Sequence, residues 1–348
     1  MPTPSQLSFF DLATRYEALS HNGDPLEALA FHVPWEEFRP ALEAVLRRSK
    51  RQHGGRPPFD ALLMFKILVL QALYNLSDDQ TEYQIRDRLS FMRFLGLDLD
   101  QRIPDAKTIW LFRETLAQAK VVETLFAQFE TYLAEHGLQP RGGQLIDASL
   151  VPVPKQRNTH KENATIKTGK CPAEWERQPA KRQQKDTEAR WTVKHGENHY
   201  GYKNHVNVDK KHKLIRQYTV TDAAVHDSQV LEEVLLPAEA GRDVWADSAY
   251  RSDAIEAHLN TTGLRSKIHR KGYRHKPLTA QQKAHNRCRS RIRARVEHVF
   301  GHQVTAMGGK LIRTVGLVRA RLKIGMKNLT YNFHRFLLLA APRKTQMA

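Results

Sequence analysis

The sequence predicts an α/β domain with a long basic insertion, preceded by an all-α N-terminal domain. Three observations predict this organisation. Apolar residues recur at helical spacing through residues 1–140, short runs with β-branched residues begin at residue 144, and the charge balance changes between the two parts. Residues 1–140 hold 15 basic and 19 acidic side chains, whereas residues 141–348 hold 40 and 18. We therefore divide the chain into a helical domain, 1–140, and an α/β domain, 141–348.

The composition restricts the class of protein. The 348 residues carry a net charge of +18, and 41% are hydrophobic, which is enough for a sizeable core. Such an excess predicts a polyanionic partner, most often nucleic acid, with a ribosomal or membrane-surface role as the alternative. Two cysteines are too few for a disulfide framework or a cysteine zinc site, which favours the cell interior. The N-terminus has no signal-peptide pattern, and the most apolar run, 61–73, is too short to span a bilayer.

Local signals predict the helices of the first domain. Asp60 and Asp105 stand where N-caps are expected, and Gly137 stands where a helix should end. A basic loop at 47–58 contains Gly-Gly and Pro-Pro breakers. The predicted helices are 35–48, 61–75, 80–97, 107–118 and 122–137.

Two of these helices resemble a helix-turn-helix. In that interpretation the helix at 107–118 enters a DNA groove and Lys107 and Arg113 contact DNA. The alternative is a plain helical core, which the net acidic charge of this region favours.

The second domain alternates strands and helices. A hairpin at 199–223 turns at Asp209-Lys210-Lys211-His212. The remaining predictions are strands at 144–153 and 243–250, a strand or basic loop at 264–271, and helices at 226–236, 255–263, 278–306 and 317–340. An insertion at about 155–195 interrupts this order. Its core stretch, 155–190, has ten basic and five acidic residues and few large apolar ones. We therefore expect a long insertion or mobile loop that cannot pack a core and lies along a phosphate backbone.

Three acidic residues occupy unusual positions. After Glu256 the chain runs 92 residues with 21 Lys or Arg and one acid, Glu297. Glu297 could pair with Arg293 one helical turn earlier, but a hard cation would need its carboxylate even in basic surroundings. Asp147 lies inside an apolar strand and Asp247 at the end of another, although strand-end aspartates are common for structural reasons. When a first strand, a later strand and a late helix each supply one acid, the arrangement is that of a ribonuclease-H-like fold.

Motifs spread over nearly the whole chain carry a resemblance. They include YNLSDDQTEYQIRDRLSFMRFLGLDL (74–99), IPDAKTIWLFRETL (103–116), LIDASLVPVPKQRNT (145–159), DTEARWTVKHGENHYGYKNHVNVD (186–209), AAVHDSQVLEEVL (223–235), WADSAYRS (245–252), RIRARVEHVFGH (291–302) and YNFHRF (331–336). Together, in this order, they resemble transposases of bacterial insertion sequences in the Asp-Asp-Glu superfamily, closest to the insertion-sequence-five group.

The resemblance implies a site and its ligands. Asp147, Asp247 and Glu297 would be catalytic and would bind two Mg²⁺ ions, with Mn²⁺ as a substitute. An Asp-x-x-Tyr pattern is met by Asp247 and Tyr250, and an Arg-x-x-x-Glu pattern by Arg293 and Glu297. Related groups often carry a tyrosine where this chain has Ser290 and a lysine where it has Val304, so the residues that grip the terminal bases are not given by the pattern. The expected DNA contacts are Lys203, Tyr250, Arg251, Arg291, Arg293, Arg295, Lys107 and Arg113.

The implied activity is DNA transposition. Cleavage at the element ends would free a 3′-hydroxyl, which would then attack target DNA. The expected partners are double-stranded DNA, as terminal inverted repeats and as target, and at least a second copy of the chain. The expected location is the bacterial cytoplasm at the nucleoid, with no membrane partner. Two alternatives remain: a nuclease that cuts without joining, and a catalytically inactive transposase-derived DNA-binding regulator. The GGK stretch at 308–310 does not match a phosphate loop.

Overall fold

The computed structural model describes residues 11–46, 57–156, 158–194, 196–237 and 242–340. The predicted basic loop at 47–58 lies outside the described residues except for its last two prolines. Within the described part, residues before 140 are helical, as predicted. These helices are α1 Asp11–His21, α2 Pro25–His32, α3 Arg39–Leu46, α4 Ala61–Tyr74, α5 Asp78–Asp87, α6 Leu89–Leu95, α7 Ala106–Gln118 and α8 Val121–Glu135. A 3₁₀ turn, Trp35–Phe38, leads directly into α3.

The predicted caps set the helix ends. The Asp60 carboxylate accepts hydrogen bonds from the backbone N–H groups of Leu62 and Leu63, at 2.9 and 3.0 Å, and so begins α4. Asp105 accepts from the N–H of Thr108 at 2.6 Å and begins α7. The single helix predicted at 80–97 is wrong, because Arg88 takes an extended backbone (φ −108°, ψ 113°) and separates α5 from α6.

The second part of the chain supplies a mixed sheet. Its strands are β1 Gln144–Pro152, β2 Arg190–Lys194, β3 Glu197–Asp209, β4 Ile215–Asp222, β5 Asp243–Trp245 and β6 Arg265–Ser266. Their order in the sheet is β2-β3-β1-β5-β6, with β4 also paired to β3. Strand β3 is antiparallel to β1 and β4, which confirms the predicted hairpin, whereas β1, β5 and β6 run parallel. Parallel neighbours require crossover connections, and helices supply them here.

The helices of the second part are α9 His160–Lys167, α10 Ala173–Glu176, α11 Pro179–Gln183, α12 Leu231–Val234, α13 Asp253–Thr261, α14 Ala280–Thr305 and α15 Leu317–Ala340. The helix predicted at 226–236 is shorter than expected and begins as a 3₁₀ turn, Asp227–Val230. The long helices expected at 278–306 and 317–340 are confirmed as α14 and α15.

Helix α15 lies in the apolar core of the N-terminal helical part. Phe333 of α15 is fully buried, and its ring lies 5.6 Å from Trp35, 5.8 Å from Phe38 and 4.7 Å from Phe129. The same apolar cluster continues to Val206 and Trp245 of the sheet. The N-terminal helices and the sheet therefore share one core, which the final helix of the chain completes.

The insertion packs around one tryptophan, so the prediction that it cannot form a core is wrong. Trp175 is fully buried. Its indole N–H donates to Glu162 Oε1 at 2.7 Å, and the ammonium groups of Lys181 and Lys185 lie 5.8 and 5.5 Å from its ring. Asp186 fastens the end of the insertion, because its carboxylate accepts from the Tyr202 hydroxyl at 2.7 Å and from the Gly316 N–H at 3.1 Å. One large ring with polar partners thus replaces a broader apolar core.

Within the described ranges no single helix is long and apolar enough to cross a membrane; α4 and α5 meet a length and hydropathy criterion only as a pair bent by 103°.

Candidate active site

Asp147 lies on the middle strand of the sheet. Alternate side chains of β1 share a face, so Asp147 points to the same side as Leu145 and Ser149. Its side chain is 14% exposed. Burial raises the pKa of Asp147 to about 6, against the opposing effects of Arg293 and of a hydrogen bond from the Ala148 N–H. A carboxylate in such a position needs a cationic partner to stay ionised.

Asp247 leaves the neighbouring strand at the same level. Strands β1 and β5 are parallel and pair Gln144 with Val244 and Leu145 with Trp245. Two residues further along each strand stand Asp147 and Asp247. The Asp247 carboxylate caps the short turn Ser248–Tyr250 by accepting from the Ala249 N–H at 2.8 Å. Its negative charge contributes to the raised pKa of Asp147, so the two acids interact.

Arg293 joins the third acid to the first. Its Nη1 donates to Asp147 Oδ2 at 2.7 Å, and its Nη2 donates to Glu297 Oε1 at 3.4 Å. Arg293 and Glu297 both belong to α14, where positions four apart share a face. The salt bridge proposed from the sequence is therefore present, and it extends to Asp147 on the sheet. The Glu297 side chain is 59% exposed, so it lies at the open side of the site.

The site suits a divalent cation in donor chemistry and only partly in geometry. Three carboxylates, one inside β1, one just after β5 and one on α14, are hard oxygen donors of the kind that Mg²⁺ prefers. As the side chains stand, however, no three His, Cys, Asp or Glu side chains of the described residues are close enough to share an ion. The Arg293 guanidinium lies between Asp147 and Glu297. The donor set therefore fits a divalent ion in its chemistry, and the guanidinium occupies the space between two of the donors.

Several predicted DNA contacts are engaged within the protein. Tyr250 is 1% exposed and packs in an apolar cluster, which contradicts a direct contact with DNA in this conformation. Its hydroxyl has no hydrogen-bond partner among the described residues, and burial together with nearby carboxylates, including Asp227, raises its pKa well above the usual value. Arg113 pairs through Nη1 and Nη2 of its guanidinium with the two carboxylate oxygens of Asp78, so its position in the helical core argues against a role in reading DNA.

The other predicted contacts differ in how free they are. Lys203 donates to the Val225 carbonyl at 2.7 Å and to Asp227 at 2.8 Å. Arg251 donates to the Ile268 carbonyl at 3.1 Å and pairs with Glu256 at 3.2 Å. The exposed members are Lys107 on α7 and Arg291 and Arg295 on α14, of which Arg295 also donates to the Lys210 carbonyl at 2.9 Å.

Two lysines near Asp147 were missed by sequence reasoning. Lys310 is the last residue of the GGK stretch, and its ammonium donates to Ser149 Oγ on the strand that carries Asp147. Lys194 stands at the end of β2, and its positive charge lowers the pKa of Asp147. Neither lysine belongs to a motif with a recognisable spacing, and only the folding of β1 against the segment after α14 brings Lys310 to the site.

Comparison with known proteins gives two family matches and one similar solved structure. Residues 14–115 match a family model described as a transposase domain (DUF772), and residues 138–333 match one described as a transposase DDE domain. Among solved structures, a cryo-EM structure of a piggyBac transposase synaptic complex with hairpin DNA is similar at 13% identity and a TM-score of 0.43. That match covers 90% of this chain and 73% of the other.

The two transposase-domain matches define the class of protein as a transposase. The sheet places Asp147 inside β1 and Asp247 two residues beyond the end of β5, and α14 carries Glu297. The DDE match spans more than half of the chain, so the chain belongs to the DDE transposase family and is an enzyme of that type.

Proposed function

We propose that this transposase cleaves DNA at the ends of an insertion sequence and joins the freed 3′-hydroxyl to target DNA, with Asp147, Asp247 and Glu297 as its catalytic acids. The observation that carries the proposal is the register of β1 and β5, which brings Asp147 and Asp247 to one sheet edge, with Arg293 tying Glu297 to the same place. The sheet order supports a ribonuclease-H-like fold, because a long antiparallel hairpin precedes parallel strands on the other side of β1.

The three carboxylates would hold two Mg²⁺ ions, for which Mn²⁺ would substitute. Such a pair of ions supplies stabilisation of charge on both the attacking and the leaving oxygen of a phosphodiester. The protein contributes the placement of the acids. The backbone of β1 positions Asp147, the segment just after β5 positions Asp247, and α14 supplies Glu297 at the open side of the site. Basic side chains around them would hold the DNA phosphates.

The partners and location follow from this activity. The substrates would be double-stranded DNA, as terminal inverted repeats and as target, and joining two ends would need at least a dimer. The order of motifs along the chain supports membership of the insertion-sequence-five group. A transposase of that kind would act at the nucleoid of a bacterial cell.

The test uses three variants that remove charge and keep size: Asp147→Asn, Asp247→Asn and Glu297→Gln. Each should abolish cleavage of labelled duplex carrying the inverted repeats that flank the gene, in Mg²⁺, while DNA binding in Ca²⁺ is retained. If Glu297 served only Arg293, Glu297→Gln would cost at most about 1 kcal/mol of stability and leave cleavage near normal.

Asp253→Asn is the matched control, because Asp253 is an exposed acid in the first turn of α13. It should cleave like the wild type. Cleavage by all three variants would refute the assignment of the acids. A wild type that cuts but does not join a pre-cut end would be the nuclease alternative, and one that binds without cutting would be the inactive regulator.

A further inference from the structure

The segment after α14 brings a positive charge to the edge of the candidate active site. The Lys310 ammonium donates a hydrogen bond to Ser149 Oγ and lies 4.8 Å from the ring of Phe300. Ser149 is two residues beyond Asp147 on β1, so both side chains leave the same face of the strand. Lys310 therefore stands beside the acids along the sheet.

Two separate elements hold the backbone before Lys310. Asn75, at the end of α4, donates from Nδ2 to the Gly308 carbonyl at 2.8 Å. Lys327 of α15 donates from Nζ to the carbonyls of Met307, at 2.9 Å, and Gly309. Gly308 has a φ of +67°, and an added Cβ would come within 2.8 Å of Asn75 Cβ. Only glycine suits that position, so this approach to β1 is specified by the sequence.

The segment then pairs with the end of the strand. The Ile312 N–H donates to the Pro152 carbonyl at 3.1 Å. Lys310 is thus fixed between a braced turn and a backbone hydrogen bond to β1. A side chain that only covered Phe300 would not need so many constraints on its backbone.

The charge of Lys310 lacks a direct counter-ion. Among the residues that the structure describes, no carboxylate forms an ion pair with its ammonium, and its hydrogen bond goes to a neutral hydroxyl. Burial and the neighbouring positive charge of Lys194 lower the pKa of Lys310, whereas the negative charge of Asp147 raises it. Two ammonium groups that repel each other beside one site favour an anion between them.

We propose that Lys310, oriented by Ser149, binds a phosphate of the DNA next to the catalytic acids, with Lys194 approaching from the end of β2. The proposal rests on the proposed function, because that function places a phosphodiester at Asp147. An ammonium acts on a phosphate as a compact point charge with several donors. This subsite differs from the arginines of α14, of which Arg293 contacts Asp147 and Glu297 directly.

The experiment measures binding to a duplex of the flanking inverted repeat with single methylphosphonate substitutions, which remove one phosphate charge at a time. In the wild type, one position near the cleaved bond should weaken binding by about tenfold or more. In Lys310→Met the same substitution should have no further effect, and the slope of log K against log salt should fall by about 0.9. Lys310→Arg should restore most of the slope.

Lys323→Met is the control for loss of a half-buried lysine. Lys323 donates to the backbone carbonyl of Arg313. The charges near it are those of Arg113, Asp78 and Arg313, and the three catalytic acids are not among them. It should leave the salt slope and the methylphosphonate profile unchanged. Where Lys310→Met does not fold, Lys310→Gln replaces it.

The outcomes separate this proposal from the proposed function. An unchanged salt slope and an unchanged methylphosphonate profile in the Lys310 variants would overturn the subsite, even if the wild type cleaves normally. A wild type that binds DNA but never cleaves would refute the proposed function, while the binding data would still decide the role of Lys310.

Discussion

Replacing Trp175 by alanine should open the insertion without unfolding the rest of the chain. The indole is fully buried and donates to Glu162, so the substitution removes a large apolar surface and one hydrogen bond together. Phe or Trp to Ala changes in cores cost about 3–5 kcal/mol. Trp175 is the one fully buried aromatic ring among the described residues of the insertion, and Asp186 and Ala189, near the end of the insertion, join it to the sheet. The lost free energy should therefore destabilise the insertion locally. The population of the opened insertion should increase roughly 100-fold or more, since about 1.4 kcal/mol corresponds to a factor of ten.

Limited trypsin digestion with mass spectrometry of the first cleavage products measures this opening. Lysines and arginines are frequent between His160 and Arg190, so opening exposes many sites. The wild type should be cut slowly there, because its helices are packed. Trp175→Phe, which keeps much of the apolar ring and loses the indole donor, should give an intermediate rate. Equal cleavage rates for Trp175→Ala and the wild type would show that Trp175 does not hold the segment together.

Three further predictions follow from the same structure. Phe333→Ala should lower the free energy of unfolding of the whole chain by about 3–5 kcal/mol in urea, because its ring joins α15 to three aromatic rings of the helical part; a loss under 1 kcal/mol would contradict the shared core. Arg291→Gln should reduce the salt slope of DNA binding by about 0.9, whereas Arg86→Gln, whose arginine pairs with Glu82, should not. The pKa of Glu162 is lowered to about 2, first by the hydrogen bond from the Thr159 N–H, so the ionised carboxylate stabilises the insertion above its unfolded pKa. That stabilisation should be lost as the pH falls from about 4.5 towards 2. Tryptophan fluorescence should therefore change over this pH range in the wild type and stay constant in Glu162→Gln.

The elements that were predicted correctly are those with local signals. Asp60 and Asp105 act as caps through hydrogen bonds to residues two and three positions away, so a short window of sequence contains the whole interaction. The docking of Phe333 against Trp35 depends on residues about 300 positions apart, and no periodicity encodes it. The insertion was misjudged because counting apolar residues does not register that one ring can be enclosed by Glu162 and lysine side chains.

The candidate site was predictable for a different reason. Asp147, Asp247 and Glu297 stand out by being acids in apolar or basic surroundings, and such positions carry an energetic cost that needs a partner. Their neighbours were less accessible to the sequence. Tyr250 is buried by an apolar cluster that only the assembled sheet and α13 create, and Lys310 reaches Ser149 through a turn held by Asn75.

Arg293 is the neighbouring residue that contacts two of the three predicted acids. Its guanidinium contacts both Asp147 and Glu297, which are the oxygen donors that a divalent ion would need. On the proposed function, the guanidinium and an ion would compete for the same carboxylates, and without metal the guanidinium would stabilise them. Arg293→Gln should lose part of that stability, because removing one partner of a mostly buried pair leaves a carboxylate without compensation.

The same substitution should strengthen metal binding. Titration of Mn²⁺, followed by the electron paramagnetic resonance signal of the free ion, should give a lower dissociation constant for Arg293→Gln than for the wild type, and Asp147→Asn should abolish binding in both backgrounds. Arg295→Gln is the control, since Arg295 lies on the same helix and donates to the Lys210 carbonyl rather than to an acid. Weaker Mn²⁺ binding by Arg293→Gln would mean that Arg293 holds the acids in place for the ion instead of competing with it. Stronger binding would mean that metal entry frees the guanidinium, which then faces the DNA at the place where the sequence motif first suggested a contact.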